Sequence, residues 1–474
     1  MGVYDVTLRQ DIDPPFGAFS LPHWAQGQEV RARDISKDRN WARLSYGVRI
    51  GRPLPAAHRC FPDDPASDAI DASKDERAAS LHRQIRIGGS DPHAVADAIK
   101  TLSSKGLITE IRPVQAQVFQ RSPSKDPAAA VSGKPGSWAL EAVDADVALA
   151  TMPGDPDIRV AVLDSGISRD HKEFRGKVSG GYDFVTLGAE DWSHPGMGTL
   201  IGDIRHRDSN WDDDGGHGSH VAGTIGALGL DMPVGAAGLC SLMAYRVLGT
   251  AIENGSKVGV GTPGDIDAAV KEATDRGAHV INLSLGLGAS SGLAPHARVI
   301  RYARMRNVVT VAASGNHGTS SPVYPGAVPG VITVGAIDPF GRVTAFSGWG
   351  PHLDITAPGS SIYSADLDNG YRFRDGTSHA APFVSATAAL IISLGRARRV
   401  TFKESTIRRL IRDSAQVEGR PTDPRRGAGV LNMARALKAA GELIDDHRRA
   451  REDPEPPWPF GFGPKEFAAS NMRS

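Results

Sequence analysis

Apolar residues run almost unbroken through Ile158-Arg-Val-Ala-Val-Leu163, His279-Val-Ile-Asn-Leu-Ser-Leu285, Val308-Val-Thr-Val-Ala-Ala313 and Val331-Ile-Thr-Val-Gly335. Runs of this kind suit parallel strands covered on both faces. Between them, 263–276 and 294–306 carry helical periodicity, so strand and helix alternate. That order predicts a doubly wound α/β domain with a mostly parallel sheet, whose chemistry gathers at the carboxyl ends of its strands. Nearer the N-terminus the period changes. Leu81 to Ile87 alternates like a half-buried strand, Val95, Ala98, Ile99 and Leu102 recur at helical spacing, and Ile108 to Phe119 alternates again. Strand, helix, strand over 81–119 predicts a small α+β unit.

The remaining stretches set the boundaries. Residues 1–80 mix Pro, Arg and Asp with short apolar patches such as Trp41 to Ile50 and form an unassigned extension. Residues 120–136, rich in Ser, Pro, Lys, Ala and Gly, have linker composition. Glu404–Ser414 and Leu431–Ala439 read as closing helices, so the α/β domain spans 137–446 and a charged, then Pro/Trp/Phe-rich tail spans 447–474. The apolar run Ala386 to Leu394 is too short and interrupted to cross a bilayer. Met1 to Pro15 carries Asp5, Asp11 and Asp13 and lacks the apolar segment of a secretory signal. The 54 basic and 54 acidic residues cancel, so no global field draws the chain to nucleic acid or an anionic membrane. Cys60 and Cys240 fall in different units and read as free thiols. A cytoplasmic protein is the expectation.

The candidate chemistry lies at element ends. Asp164 closes the first strand in Val-Ala-Val-Leu-Asp-Ser-Gly, and His217 opens Gly-His-Gly-Ser-His-Val-Ala-Gly-Thr. Asn316 ends Val-Ala-Ala-Ser-Gly-Asn, and Ser378 stands in Gly-Thr-Ser-His-Ala-Ala-Pro before a small-residue helix. Pro382 is expected in the first turn of that helix, where its missing N–H costs nothing. Ser378 then meets the free N–H groups and positive end of a helix N-terminus. Singly, each residue serves as a turn or cap residue often enough. Together, and in this order, they closely resemble the motifs of the subtilisin-like serine peptidases from about 137 to 445, in the subtilase order Asp, His, Ser.

The resemblance implies an endopeptidase that hydrolyses peptide bonds through an acyl-enzyme, with no cofactor and no metal required. Ser378 would be the nucleophile, His217 the base and then acid, and Asp164 its orienting partner. The Asn316 amide and the Ser378 N–H would form the oxyanion hole. Ser284, Leu285 and Gly286 would pair with an extended peptide. Ala313, Ser314 and Gly315 would line the pocket for the residue before the cleaved bond, and the small Ala313 and Gly315 suggest room there for a sizeable apolar side chain. The 81–119 unit resembles in position the inhibitory pro-regions of this family, which implies an intramolecular partner and self-cleavage within 120–136.

Some features depart from the family pattern. His379 replaces the Met that often follows the nucleophile, and is read as an accepted variant. His220 rivals His217 as the base but is read as packing. Asp191, His194, His206, Asp208 and Asp212-Asp213-Asp214 read as a solvated acidic lip rather than a metal loop. Glu173 falls where many relatives place a calcium ligand, although Gly229 to Gly238 lacks the Asn-rich look of that site, so structural calcium is compatible with the pattern and not required by it.

Overall fold

The computed structural model describes residues 4–9, 81–88, 92–114, 117–119, 135–187, 199–204, 207–253, 255–288, 295–417 and 423–452, with short strands at 19–20, 48–49, 52–53 and 56–59. Most of the 1–80 extension, the linker through residue 134, and the tail beyond 452, together with Cys60, lie outside the described residues.

β1 (Tyr4–Leu8), β2 (Gln84–Gly88), helix α1 (Pro92–Ser104) and β3 (Ile108–Pro113) make a small antiparallel sheet with its helix. β1 comes from the unassigned extension, yet it lies between β2 and β3 and pairs with both. Its Val6 and Leu8 join Ile85, Ile87, Val95 and Leu102 in one buried cluster. The alternating stretch that ends at Phe119 is not one strand. Pro113, which has no N–H to give a ladder, ends β3. β4 (Gln117–Phe119) then pairs with the large domain instead.

The large domain opens with two short helical segments, Ser137–Glu141 and Ala145–Thr151, and continues with β5 (Arg159–Asp164) and β6 (Val178–Asp183), followed by α2 (His217–Gly226) and β7 (Ser241–Arg246). A hairpin, β8 (Gly249–Glu253) and β9 (Ser256–Gly261), leads into α3 (Pro263–Asp275) and β10 (Val280–Leu283). Then come α4 (Ala297–Met305), β11 (Val309–Ala313), the two-residue β12 (Val323–Tyr324), β13 (Ile332–Ile337) and β14 (Ile355–Pro358). Helices α5 (Thr377–Ala397), α6 (Glu404–Asp413) and α7 (Met433–Glu452) close the domain. The seven-stranded sheet has the order β6-β7-β5-β10-β11-β13-β14, and every neighbouring pair is parallel.

Because side chains alternate across a strand, the two faces have separate cores. Val160, Val162, Val280, Val309 and Val311 pack with α2, α5 and α7, whereas Ala161, Leu163, Ile281 and Leu283 pack with α3 and α4. Helix α5 is long and apolar enough by length and composition to cross a membrane, but 83% of that stretch is buried inside the domain. It is the core helix, and its many Ala and Ser residues let it lie close against the sheet.

The small sheet rests on α3 and α4. Arg86 of β2 is 2% exposed and donates to Asp5 (2.8 Å), and across to Asp265 (2.9 Å) and Thr186 (3.2 Å) of the large domain. Asp265 sits in the first turn of α3, where its N–H is capped by Thr262 (3.1 Å). Burial opposes its charge, but Arg86 and Arg207 outweigh burial and hold its carboxyl below the usual range. Arg298 of α4 adds a bond to Thr7 (2.9 Å) and an ion pair to Glu110.

Candidate active site

Asp164 ends β5 fully buried, and its Oδ1 lies 2.7 Å from Nδ1 of His217, the first residue of α2. The same oxygen accepts the Ser165 N–H at 2.8 Å. With the carboxylate accepting, Nδ1 carries the proton and Nε2 keeps the lone pair. The ring is 12% exposed, enough to open one edge to the cleft.

Ser378 is the second residue of α5, beside the N-terminal N–H groups. The preceding Gly376 has φ 147°, a conformation costly for any other residue, and a Cβ there would lie 3.2 Å from Asn316 Nδ2. Thr377 sets the Asn316 amide. Its N–H (2.9 Å) and hydroxyl (2.8 Å) both donate to Asn316 Oδ1, so the amide nitrogen is left as the outward donor. Motif reading does not assign Thr377 this role, because the contact joins residues 61 apart.

Pro382 is not in the first turn. The helix begins at Thr377, so Pro382 lies inside it, and the carbonyl deprived of its i+4 donor is that of Ser378. The Ser284 hydroxyl fills the gap, donating to the Ser378 carbonyl at 2.6 Å. Asn282 in turn donates to Ser284 Oγ (2.9 Å), and Ser385 donates to Asn282 (2.8 Å). A proline that would weaken an ordinary helix here ties the helix start to β10.

These groups face one cleft of about 1350 Å³, whose lining includes His217, Asn316, Ser378, Leu285, Gly286 and Gly315. Ser284 and Ala313 also reach it, while Ser314 is buried and donates its hydroxyl to the Gly348 carbonyl (2.9 Å). A model of the subtilase family matches residues 155–463. The chain belongs to the subtilase family. It is a subtilisin-like serine endopeptidase. Among its relatives are a thermophilic serine proteinase of Bacillus sp. (strain AK1), 37% identical over 256 residues, and subtilisin DY of Bacillus licheniformis, 36% identical over 244. The matched parts are 53% of this chain and 56% of the first protein, and 50% and 77% for the second. The solved structure of the prenylagaramide maturation protease PagA aligns over 62% of this chain and 98% of its own, at 29% identity and a TM-score of 0.50.

Other residues of this subtilase differ from expectation. Asp213 is neither a solvated lip nor a metal ligand. It is buried and accepts from Ser165 Oγ (2.8 Å), Gly215 and Gly216 N–H (both 2.8 Å), and Ser219 N–H (2.9 Å) and Oγ (2.7 Å). It thereby clamps the His217 helix to the Asp164 turn. Asp212 receives the Arg169 N–H (2.9 Å) and Asp214 pairs with Arg246 (2.7 Å). Asp191, His194 and His206 lie outside the described residues.

His220 is fully buried, with Nε2 3.0 Å from both the Ile362 and Arg372 carbonyls. Burial above all, with nearby Arg374, holds its pKa well below the ordinary histidine value. Its one N–H is spent on scaffold carbonyls. His379 packs edge-on to it at 4.4 Å between ring centroids and lies 5.2 Å from the His217 ring.

Glu173 does not fit a cation. Its carboxylate takes the N–H groups of Gly229 (2.7 Å), Leu230 (3.0 Å) and Asp231 (2.8 Å) and the Tyr371 hydroxyl (3.0 Å), so donors surround it. The carboxylates that do converge among the described residues are Asp183, Asp203 and Asp208, with ligand oxygens within 4.8 Å of one another. Asp183 already meets Arg246 at 2.6 Å, and burial pushes its carboxyl up to about 7 despite that partner.

Proposed function

We propose that Ser378 attacks the scissile carbonyl while His217 Nε2 takes its proton, with Asp164 holding the imidazole and stabilising its cation. The Asn316 amide and the Ser378 N–H receive the tetrahedral oxyanion, and His217 then protonates the leaving amine. The observation that carries this reading is the shared cleft. A buried carboxylate at 2.7 Å fixes the base, and Thr377 fixes the amide donor beside the serine. Preset donors of this kind need no reorganisation when charge develops. No cofactor enters the chemistry.

The substrate is a peptide in extended conformation, paired along Ser284-Leu285-Gly286, and the protein's own chain supplies the first one. β4 pairs antiparallel with β9, placing Phe119 opposite Gly259 at the cleft wall, and the next residues are the 120–136 linker. Self-cleavage in that linker follows from this lane. The likeness to a maturation protease supports a narrower variant of the reading, in which one dedicated peptide is the physiological substrate. Structural calcium, if bound at Asp183, Asp203 and Asp208, would serve stability alone; a melting temperature unmoved by chelator removes it.

The test compares wild type with Ser378→Ala by fluorophosphonate labelling and intact mass. Wild type is expected to label and to be cut between residues 120 and 136, with the variant unlabelled and full length. A labelled but uncut wild type removes self-processing, and an unlabelled wild type overturns the triad.

A further inference from the structure

The pocket expected from Ala313 and Gly315 to be roomy has a side chain standing in it. β12 pairs antiparallel with Leu287–Gly288, with Val323 opposite Gly288, and this carries Val323 up against both pocket walls. A Cβ at Gly286 would fall 2.3 Å from Val323 Cγ1, and a Cβ at Gly315 would fall 2.7 Å from Val323 Cγ2. Each methyl therefore rests on bare glycine backbone, one on each wall, and the isopropyl group spans the slot between them. Val323 is 8% exposed, and what it does expose lines the cleft.

Neither side of this contact can give way easily. A β-branched side chain has little χ1 freedom to swing aside. The walls continue β10 and β11, which are inner strands of the seven-stranded sheet and cannot retreat without disturbing both cores. Forcing extra carbons into such packing is strongly unfavourable. Resting on the proposed triad and peptide lane, we propose that Val323 sets the specificity of this peptidase. It restricts the residue before the cleaved bond to Gly, Ala or Ser and excludes aromatic and long aliphatic side chains. The chain's own linker meets this demand, since it holds Ser122, Ala128, Ala129, Ala130 and Gly133.

The experiment uses the full-length protein and two chromogenic peptides that differ only in Ala or Phe before the scissile bond, with fluorophosphonate labelling of Ser378 run alongside. Wild type is expected to favour Ala in kcat/KM by more than about 100-fold, since each methylene misfit in such a pocket is worth roughly tenfold or more. Val323→Gly is expected to raise the Phe-to-Ala ratio by on the order of 100-fold, and Val323→Ala by a smaller factor; the second keeps the test open should the first misfold. A labelled wild type that favours Phe, or a ratio unmoved in a folded variant, overturns the assignment of Val323. An unlabelled wild type overturns the triad beneath it, and the specificity proposal falls with the triad.

Discussion

Among the described residues are two histidine–carboxylate pairs of nearly the same geometry. His217 Nδ1 lies 2.7 Å from Asp164, and His296 Nδ1 lies 2.6 Å from Asp267. Both histidines stand at a helix start, the first opening α2 and the second capping α4. Their outer edges differ. The His217 edge reaches the cleft that holds Ser378, whereas His296 is buried and its Nε2 has no hydrogen-bond partner among the described residues. A short histidine–carboxylate contact is therefore a structural motif first. It becomes a catalytic one when the far nitrogen faces a nucleophile and a set of preset donors.

The sharpest way to break this comparison is to truncate both histidines. His217→Ala is expected to lower kcat by about 10⁶, a magnitude established for this family rather than derived from this structure. His296→Ala is expected to leave kcat within about tenfold and to cost about 1–3 kcal/mol in denaturant unfolding, because Asp267 loses its partner. Comparable losses of kcat in the two variants would erase the distinction. Next in size, Thr377→Val removes one of the two bonds that orient Asn316. A loss of about tenfold in kcat with little change in KM is expected, equivalent to roughly 1.4 kcal/mol of transition-state stabilisation. A change in KM alone would assign Thr377 to binding.

The smallest effect concerns His220, one turn along α2 from the proposed base, His217. Its folded pKa lies below the unfolded value, so the unfolded chain takes up a proton first as pH falls. Stability is complete above about pH 6.5 and declines below it, by at most about 1.4 kcal/mol per pH unit from this group. Urea midpoints measured from pH 8 to 5 should show a slope that His220→Gln removes. An unchanged slope would place the acid sensitivity elsewhere.

The groups of the proposed mechanism are legible in sequence because that chemistry requires particular residue types at strand and helix ends. Asp164, His217, Asn316 and Ser378 each carry a local motif. The strands with continuous apolar runs are legible for the same local reason. β6 is not, since it reads Val-Ser-Gly-Gly-Tyr-Asp at a sheet edge, nor is β14, a four-residue edge strand ending in proline. Tyr4–Leu8 looks unremarkable until β2 and β3, about eighty and a hundred residues later, flank it. Asp213 looks like a solvated acid until five donors, from the turn after β5, its own loop and the start of α2, converge on one carboxylate. Val323 carries no motif at all. Its role depends on two glycines that only the folded sheet brings to it.

The pairing of β4 with β9 also has a concentration attached to it. A strand joined to its own docking surface meets that surface at an effective concentration of order millimolar, whatever the dilution of the protein. An outside peptide of micromolar affinity competes poorly with such a neighbour. If the chain is cut between β4 and Ser137, the contest becomes bimolecular, and the small sheet is then held by the β4–β9 pairing, the burial of Leu81 against α3 and α4, and the contacts of Arg86 and Arg298. Activity per molecule should then rise on dilution, which is the opposite of what an enzyme assembled from free subunits would do.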